Sequence, residues 1–324
     1  MYSRAADREL ELEPDLLHPL ASGGDVDRYG FRRLTQLLLF PYRRDGEAMR
    51  LLRRDELADL PLTDAYLGEH EAALRGRERG KMDHDGWYGY VYPKSLGAHD
   101  HPKLGVPRMC VDLRAAADPE GSVYLDNVDV NGVLIPPEGP SVWSVAVVLN
   151  SRAVDWVFRR GSVPFRGEFL SANKQFIAPL PIRVPSGAQA EQVEDLGRRL
   201  HELASQETEE REGFLDWLGD ALGARVRHLP RAASLAGYEE LEVGGVISIL
   251  RRSRATLGRD PDSRSFRDLL AREHRASAER LGDLLGSVGR LERQADDVVA
   301  DLYELSRAQR ALIARDYPYP GSRP

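Results

Sequence analysis

The pattern of apolar and polar positions changes near residue 185. Before it, short apolar runs are separated by Pro-, Gly- and Asp-rich breaks. After it, apolar residues recur at three- and four-residue spacing over long stretches. Leu34 to Phe40, closed by Pro41-Tyr42, predicts a buried strand. Residues 53–79 predict a helix, with Thr63 and Asp64 offering an N-cap and Tyr66, Leu67, His70, Ala73 and Leu74 on one face. Val106–Leu113 and Val123–Leu125 predict strands, with turns at Pro119-Glu120-Gly121 and Asn131-Gly132. Val142, Val145, Ala146 and Leu149 mark a helix starting behind Pro140-Ser141. A second apolar run, Ala153 to Phe158, stops at Arg159-Arg160-Gly161. Residues 164–175 have the wrong composition for a buried element. Pro179 and Pro181 cannot donate backbone hydrogen bonds, so 176–182 reads as an extended edge or crossing segment.

From Ser186 the pattern is helical. Val193, Leu196, Leu200 and Leu203 form one stripe, the charged residues 207–212 interrupt it, and Phe214 to Leu222 mark another helix ending near Gly223. A loop-like span, 224–237, precedes a buried piece from Leu241 to Leu250. The last helix starts near 263–265 and carries Leu281, Leu284, Val288, Leu291, Ala295, Val298, Leu302 and Leu305, the alternation of a coiled-coil seam. Gly282, Gly286 and Gly289 weaken the isolated helix by about 1 kcal/mol each relative to Ala, so the seam needs a partner. The 193–203 stripe, in antiparallel pairing, is the candidate, and Leu281, Leu284, Val288, Leu291, Val298 and Leu302 are the docking residues. The expected fold is α+β: a leading segment (1–29), a mixed strand–helix domain (30–185), and an α-helical, coiled-coil-like region (186–324).

The single cysteine, Cys110, excludes a disulfide framework or cysteine zinc cluster within the chain and fits a reducing cytoplasm. No apolar run is long enough to span a membrane and none near Met1 resembles a signal peptide, so a cytoplasmic location is expected. The net charge of −7 argues against a simple polyanion binder. It is uneven, however. Residues 1–29 hold 3 basic against 7 acidic side chains, 30–183 hold 21 against 20, and 184–324 hold 21 against 25. All the lysines (Lys81, Lys94, Lys103, Lys174) lie in the middle, so a local phosphate-contacting patch is compatible with weak, salt-sensitive binding.

Catalytic motifs are missing. Ile135-Pro136-Pro137-Glu138 has the prolines of a flipped-adenine pocket but not the preceding Asn/Asp or the following aromatic. No Gly-rich turn, Walker loop or nucleophile elbow is present. His99-Asp100-His101, near Asp83-His84-Asp85, contains ligand types, but no further partner stands at metal spacing and the stretch reads as a solvated loop. His70 reads as a packed histidine.

The order VLNSRAVDWVFRR, PFRGEFLSANKQFIAPLPI (148–182) resembles the TaqI-like C-terminal specificity domain. That domain is the target-recognition part of adenine-specific DNA methyltransferases and combined restriction-modification enzymes. Leu149-Asn150-Ser151, the aromatic helix to Phe158, and Lys174-Gln175-Phe176-Ile177 with Leu180-Pro181-Ile182 carry the resemblance. The Tyr66-Leu67 helix, an aromatic strand at Trp87-Tyr88 and the Leu302-Tyr303 close extend it over most of the chain. It implies a module that reads duplex DNA and directs a separate adenine methyltransferase, with S-adenosylmethionine bound by that partner, no cofactor in this chain, and a possible associated nuclease. DNA contacts are expected from Arg159, Arg160, Arg166, Asn173, Lys174 and Gln175, with Arg43, Lys94, Trp87 and Tyr88 as secondary choices. Phe165 and Phe176 read as core. Two other readings stay open: an enzyme using the 83–101 region, and a helical interaction protein with a decayed recognition domain.

Overall fold

Five small sheets and a run of helical turns build the first half of the fold in the computed structural model, which describes residues 1–317. Tyr2–Ser3 (β1) and Arg8–Glu9 (β2) form a short hairpin. Leu17–Ala21 (β3) pairs antiparallel with Gln36–Leu39 (β4). Tyr42–Asp45 (β5) and Ala48–Leu51 (β6) make a second hairpin. Arg54–Ala58 (α1), Pro61–Glu69 (α2), Glu71–Arg75 (α3) and Arg77–Gly80 (α4) follow. Lys103–Pro107 (β7), Met109–Cys110 (β8), Ala116–Asp118 (β9), Tyr124–Leu125 (β10) and Val130–Leu134 (β11) come next. The order β11-β7-β9 is antiparallel, whereas β10 joins β3 in parallel.

Several expectations are corrected here. Residues 53–79 do not form one helix, because Pro61 cannot sit in a helix interior and opens α2 instead. The cap of α2 is neither Thr63 nor Asp64. The Glu13 carboxylate accepts from Leu62 N and Thr63 N, each at 2.8 Å, across fifty residues of chain. Trp87 and Tyr88 lie in a turn, not a strand. Their region's carbonyls are satisfied by a side chain: Arg77 donates to the oxygens of Trp87 at 2.6 Å and Gly89 at 2.8 Å. Asn131-Gly132 lies inside β11, since the turn is made upstream by Asp126, whose carbonyl accepts from Val130 N at 2.8 Å. The Leu34–Phe40 strand forms but is only partly covered, with Leu37 exposed at its edge.

Val142–Asn150 (α5), the helix that the spacing predicts, and Arg152–Gly161 (α6), which takes up the second apolar run, occupy the centre. Every residue of α5 is buried, because the sheet of β7 and β9 lies on one side and the first long helix on the other. Asn150 and Ser151 have structural work to do. The Asn150 amide donates to and accepts from the backbone of Ala115, both at 2.9 Å, and the Ser151 hydroxyl caps α6 by accepting from Val154 N. Pro164–Arg166 (β12) and Phe169–Ser171 (β13) form a hairpin that continues onto β8, and Lys174–Ile177 (α7) is a single turn.

Ala188–Leu222 (α8), Val243–Arg251 (α9), Arg264–Leu302 (α10) and Arg307–Asp316 (α11) follow. Helix α8 runs unbroken through 207–212. The charges there are paired, Glu207 with Arg211 and Glu210 across to Arg280 of α10, rather than breaking the helix. It ends at Gly223, whose φ of +59° suits a residue without a Cβ. Helix α10 stops at Tyr303. Glu304 takes φ +55° and Ser306 caps α11 in a capping box with Gln309, so Leu305 lies in a connection. The two long helices are antiparallel: Glu210 meets Ser277 and Arg280, while Leu200 and Val288 line the same cleft further along.

Residue 185 is not the edge of a core. One apolar cluster contains Leu104, Val106, Val147 and Phe158 from the first half together with Val193, Leu196, Leu200, Leu291, Ala295 and Val298 from the long helices. Tyr29, from the leading segment, is also in it. A second cluster, from Phe214 to Leu281 with Tyr238 and Ile247, forms a distal helical lobe. Among the described residues no helix is long and apolar enough to cross a membrane.

Candidate nucleic-acid interface

The arginines at the end of α6 are held by neighbouring groups, Arg159 half-buried and Arg160 exposed. Asp155 is buried and accepts from Leu113 N at 2.8 Å and from Arg159 Nε at 2.7 Å. Burial raises its pKa against the pull of those two donors. The Arg159 guanidinium also lies 4.4 Å from the Tyr317 ring centroid. Arg160 stacks 3.5 Å above the Trp156 ring and donates to Asp316 at 2.6 Å, and the Trp156 indole donates to the same carboxylate at 3.0 Å. Arg159 and Arg160 therefore fasten α6 to α11 and its end. Their charges are thus paired or stacked within the protein, unlike that of Arg166.

Arg166 is different. It sits on the β12–β13 ribbon with no ion pair among the described residues. The ribbon turns through Gly167-Glu168, with Gly167 at φ +59° in the first central position, the type II′ pattern. At its base the Ser162 hydroxyl donates to the Ser171 carbonyl at 2.5 Å. Along it Val163, Phe165 and Phe169 are about half exposed or more, and Met109 on the neighbouring strand β8 likewise. Phe165, at 65 %, is the most exposed of the four, so its expected place in the core is corrected. Phe176 does pack against the central cluster.

Asn173, Lys174 and Gln175 are exposed where the ribbon returns to the body. The Asn173 amide donates to Ser171 Oγ at 3.0 Å, while Lys174 and Gln175 have no polar side-chain partner among the described residues. Arg108 joins this surface. Its carbonyl accepts from Ala172 N at 2.8 Å, and its half-buried side chain leaves Nε without a hydrogen-bond partner. The structure thus brings Arg166, Asn173, Lys174 and Gln175 together and adds Arg108, Met109, Val163 and Phe169, which the sequence reading missed. A signal was present: Phe-Arg-Gly-Glu-Phe (165–169) is a Gly-X turn between aromatic residues, a hairpin pattern.

The secondary choices separate. Trp87 and Tyr88 are only 3 % and 5 % exposed, packed with Leu16, Leu52 and Leu57, so they are corrected to core residues. The Tyr88 hydroxyl donates to the Leu52 carbonyl at 2.5 Å. Arg43 is exposed on β5, 3.5 Å from Glu56, and Lys94 is exposed in a loop; both belong to a different sheet region from the ribbon. In the basic stretch 251–259, two of the four arginines are neutralised, since Arg251 and Arg254 pair with Asp262 and Asp260.

In the 83–103 stretch, His99 stacks on Tyr124 at 4.3 Å between ring centroids and His18 stacks at 4.2 Å from the same ring. Asp100 pairs with Arg44 and accepts from the Tyr124 hydroxyl, so this region is largely an aromatic packing unit. The helix-docking residues also differ among themselves. Leu281, Leu291, Val298 and Leu302 are buried, Val288 is half-buried beside the central core, and Leu284 is half-buried over a cleft lined by Gln206, Glu209 and Arg280. No family model matches the chain, and no curated protein matches it.

Proposed function

We propose that this chain is the target-recognition module of a restriction-modification or related phage-defence system and presents the 162–175 ribbon and turn to double-stranded DNA. One observation carries the reading. Three large apolar side chains, Val163, Phe165 and Phe169, stand exposed along the ribbon and a fourth, Met109, on the adjoining strand β8, beside Arg166, Lys174 and Gln175, whose side chains have no partners among the described residues. Leaving a Phe in water forgoes about 1.5–3 kcal/mol relative to burial, so clustered exposure marks a surface meant to be covered. A two-stranded ribbon fits the major groove, where cations meet phosphates and side-chain amides meet base edges. Methyl transfer belongs to a separate S-adenosylmethionine-dependent adenine methyltransferase. Here 136–138 lacks the residues that would hold a flipped base.

Fluorescence anisotropy of a labelled random-sequence duplex, titrated with the full chain over a salt series, tests this. Each lost phosphate contact lowers the log–log slope by about 0.9, so Arg166→Ala with Lys174→Ala should lower it by about 1.8. Arg159→Ala, which removes an internal pair, should leave the slope unchanged and lower the melting temperature instead. An unchanged slope in the double variant moves DNA away from the ribbon. Loss of partner-protein assembly with intact DNA binding on Phe165→Ala would assign the ribbon to a protein.

A further inference from the structure

The tip of the ribbon carries two opposite charges that do not neutralise each other. Arg166 and Glu168 are separated only by Gly167, both are exposed, and no ion pair joins them. Elsewhere in the chain nearby Arg and carboxylate side chains close readily, as Arg53 does on Asp55 at 3.1 Å and Arg75 on Glu71 at 2.7 Å. The Gly167 turn holds the two groups at the end of a ribbon whose base is fixed to β8 through Leu170 opposite Cys110 and Ser171 opposite Met109. Glu168 is also out of place on a purely phosphate-binding surface, because a carboxylate brought near duplex DNA is repelled unless it finds a donor.

We propose that Glu168 and Arg166 are the base-reading pair of this ribbon and recognise a cytosine and a guanine within one base-pair step of the major groove. This rests on the DNA-recognition reading above. The Arg166 guanidinium donates two hydrogen bonds to guanine O6 and N7, and the Glu168 carboxylate accepts from the cytosine N4 amino group. Adenine also offers an amino group, but its N7 acceptor lies beside it and repels a carboxylate, so cytosine is favoured. The half-exposed Phe169 and the exposed Phe165 flank the tip and supply apolar contact to sugars or thymine methyl groups. Glu168 then acts by exclusion as well as by contact: where no donor is present its charge disfavours binding.

The experiment is selection of a duplex pool with a randomised core by the full-length chain at low salt, for wild type, Glu168→Ala and Arg166→Ala, with melting temperatures as a folding control. Wild type is expected to enrich a sequence containing adjacent guanine and cytosine positions. Glu168→Ala should lose the cytosine preference at one position by about 5- to 150-fold and bind unselected duplex as tightly as wild type or tighter. Arg166→Ala should lose the neighbouring guanine preference and bind all duplexes more weakly. Binding without enrichment, or unaltered preferences in Glu168→Ala, overturns the base-reading inference and leaves the DNA surface standing. Failure of the wild type to bind any duplex overturns both.

Discussion

Lys103 and Asp118 are each about 1 % exposed, an ion pair sealed between β7 and β9. The ammonium also donates to the His99 carbonyl at 2.6 Å, and the Asp118 carboxylate accepts from Ser122 N and Val123 N, each at 3.0 Å. A buried pair adds little net stability, but removing one partner leaves a charge without compensation. Asp118→Ala should therefore cost about 3–5 kcal/mol in urea denaturation, and converting both residues to apolar ones of similar volume should recover most of that. His99, next to this pair, has its pKa pushed down to about 4 by burial first and by the Lys103 charge second, with Asp100 opposing. Burial also lowers His18 across the Tyr124 ring. The unfolded chain takes up these protons near pH 6.5, so between about pH 6.5 and 4 the unfolded state binds more protons. Stability is complete above 6.5 and falls as the pH drops through that window. His99→Phe, which keeps the stack, should flatten the decline in melting temperature between pH 7 and 5.

At the scale of elements, the contact of α8 with α5 is set by Gly197. A Cβ there would lie 2.7 Å from the Trp143 carbonyl oxygen and 2.8 Å from Trp143 Cβ. Gly197→Ala should prise the helices apart and cost about 1–3 kcal/mol. Gly213→Ala, on the same helix with open space around it, should be neutral or gain up to about 1 kcal/mol from helix propensity. Thermal melts of the two variants give opposite signs if close approach is the reason for Gly197. On α10, Leu291 is buried in the central cluster, so Leu291→Ala should cost about 2–5 kcal/mol. Leu284 lies half-buried over its polar cleft and should cost less.

For the whole molecule, the shared core decides how the chain can be cut. The stripe Val193, Leu196, Leu200 covers α5, and Leu291, Ala295 and Val298 close the same cluster. Polar ties repeat the connection: Arg28 pairs with Glu292 at 2.8 Å, and Arg152 N donates to Asp296 at 2.8 Å. A fragment of residues 1–185 would expose one side of its most apolar helix. It is expected to lose fixed tertiary packing, seen as collapsed amide dispersion in NMR spectra and rapid proteolysis, although its sheets would lose no strand. The distal cluster from Phe214 to Leu281 has its own apolar contacts, so the full chain should be nicked preferentially in the loops near 224–237 and 252–262 without losing the ribbon end.

Periodicity alone determined the α+β class, the helix α5, the apolar runs that fold as α6 and α9, and the antiparallel pairing of two long helical stripes. These depend on local spacing, because a three-four repeat buries one face whatever it meets. Ser141 was legible as a helix start for the same reason, since an N-cap bonds the backbone two or three residues on. What lay beyond reach depended on partners distant in the chain. Glu13 caps α2, Arg77 ties down the carbonyls of the Trp87 turn, and paired charges carry α8 through 207–212. The candidate interface divided along the same line. Arg159, Arg160 and Arg166 look alike in sequence. Tertiary structure alone decided that two are paired with Asp155 and Asp316 while the third, on the ribbon, has no ion pair among the described residues, because a cation's availability depends on which carboxylates the fold brings beside it.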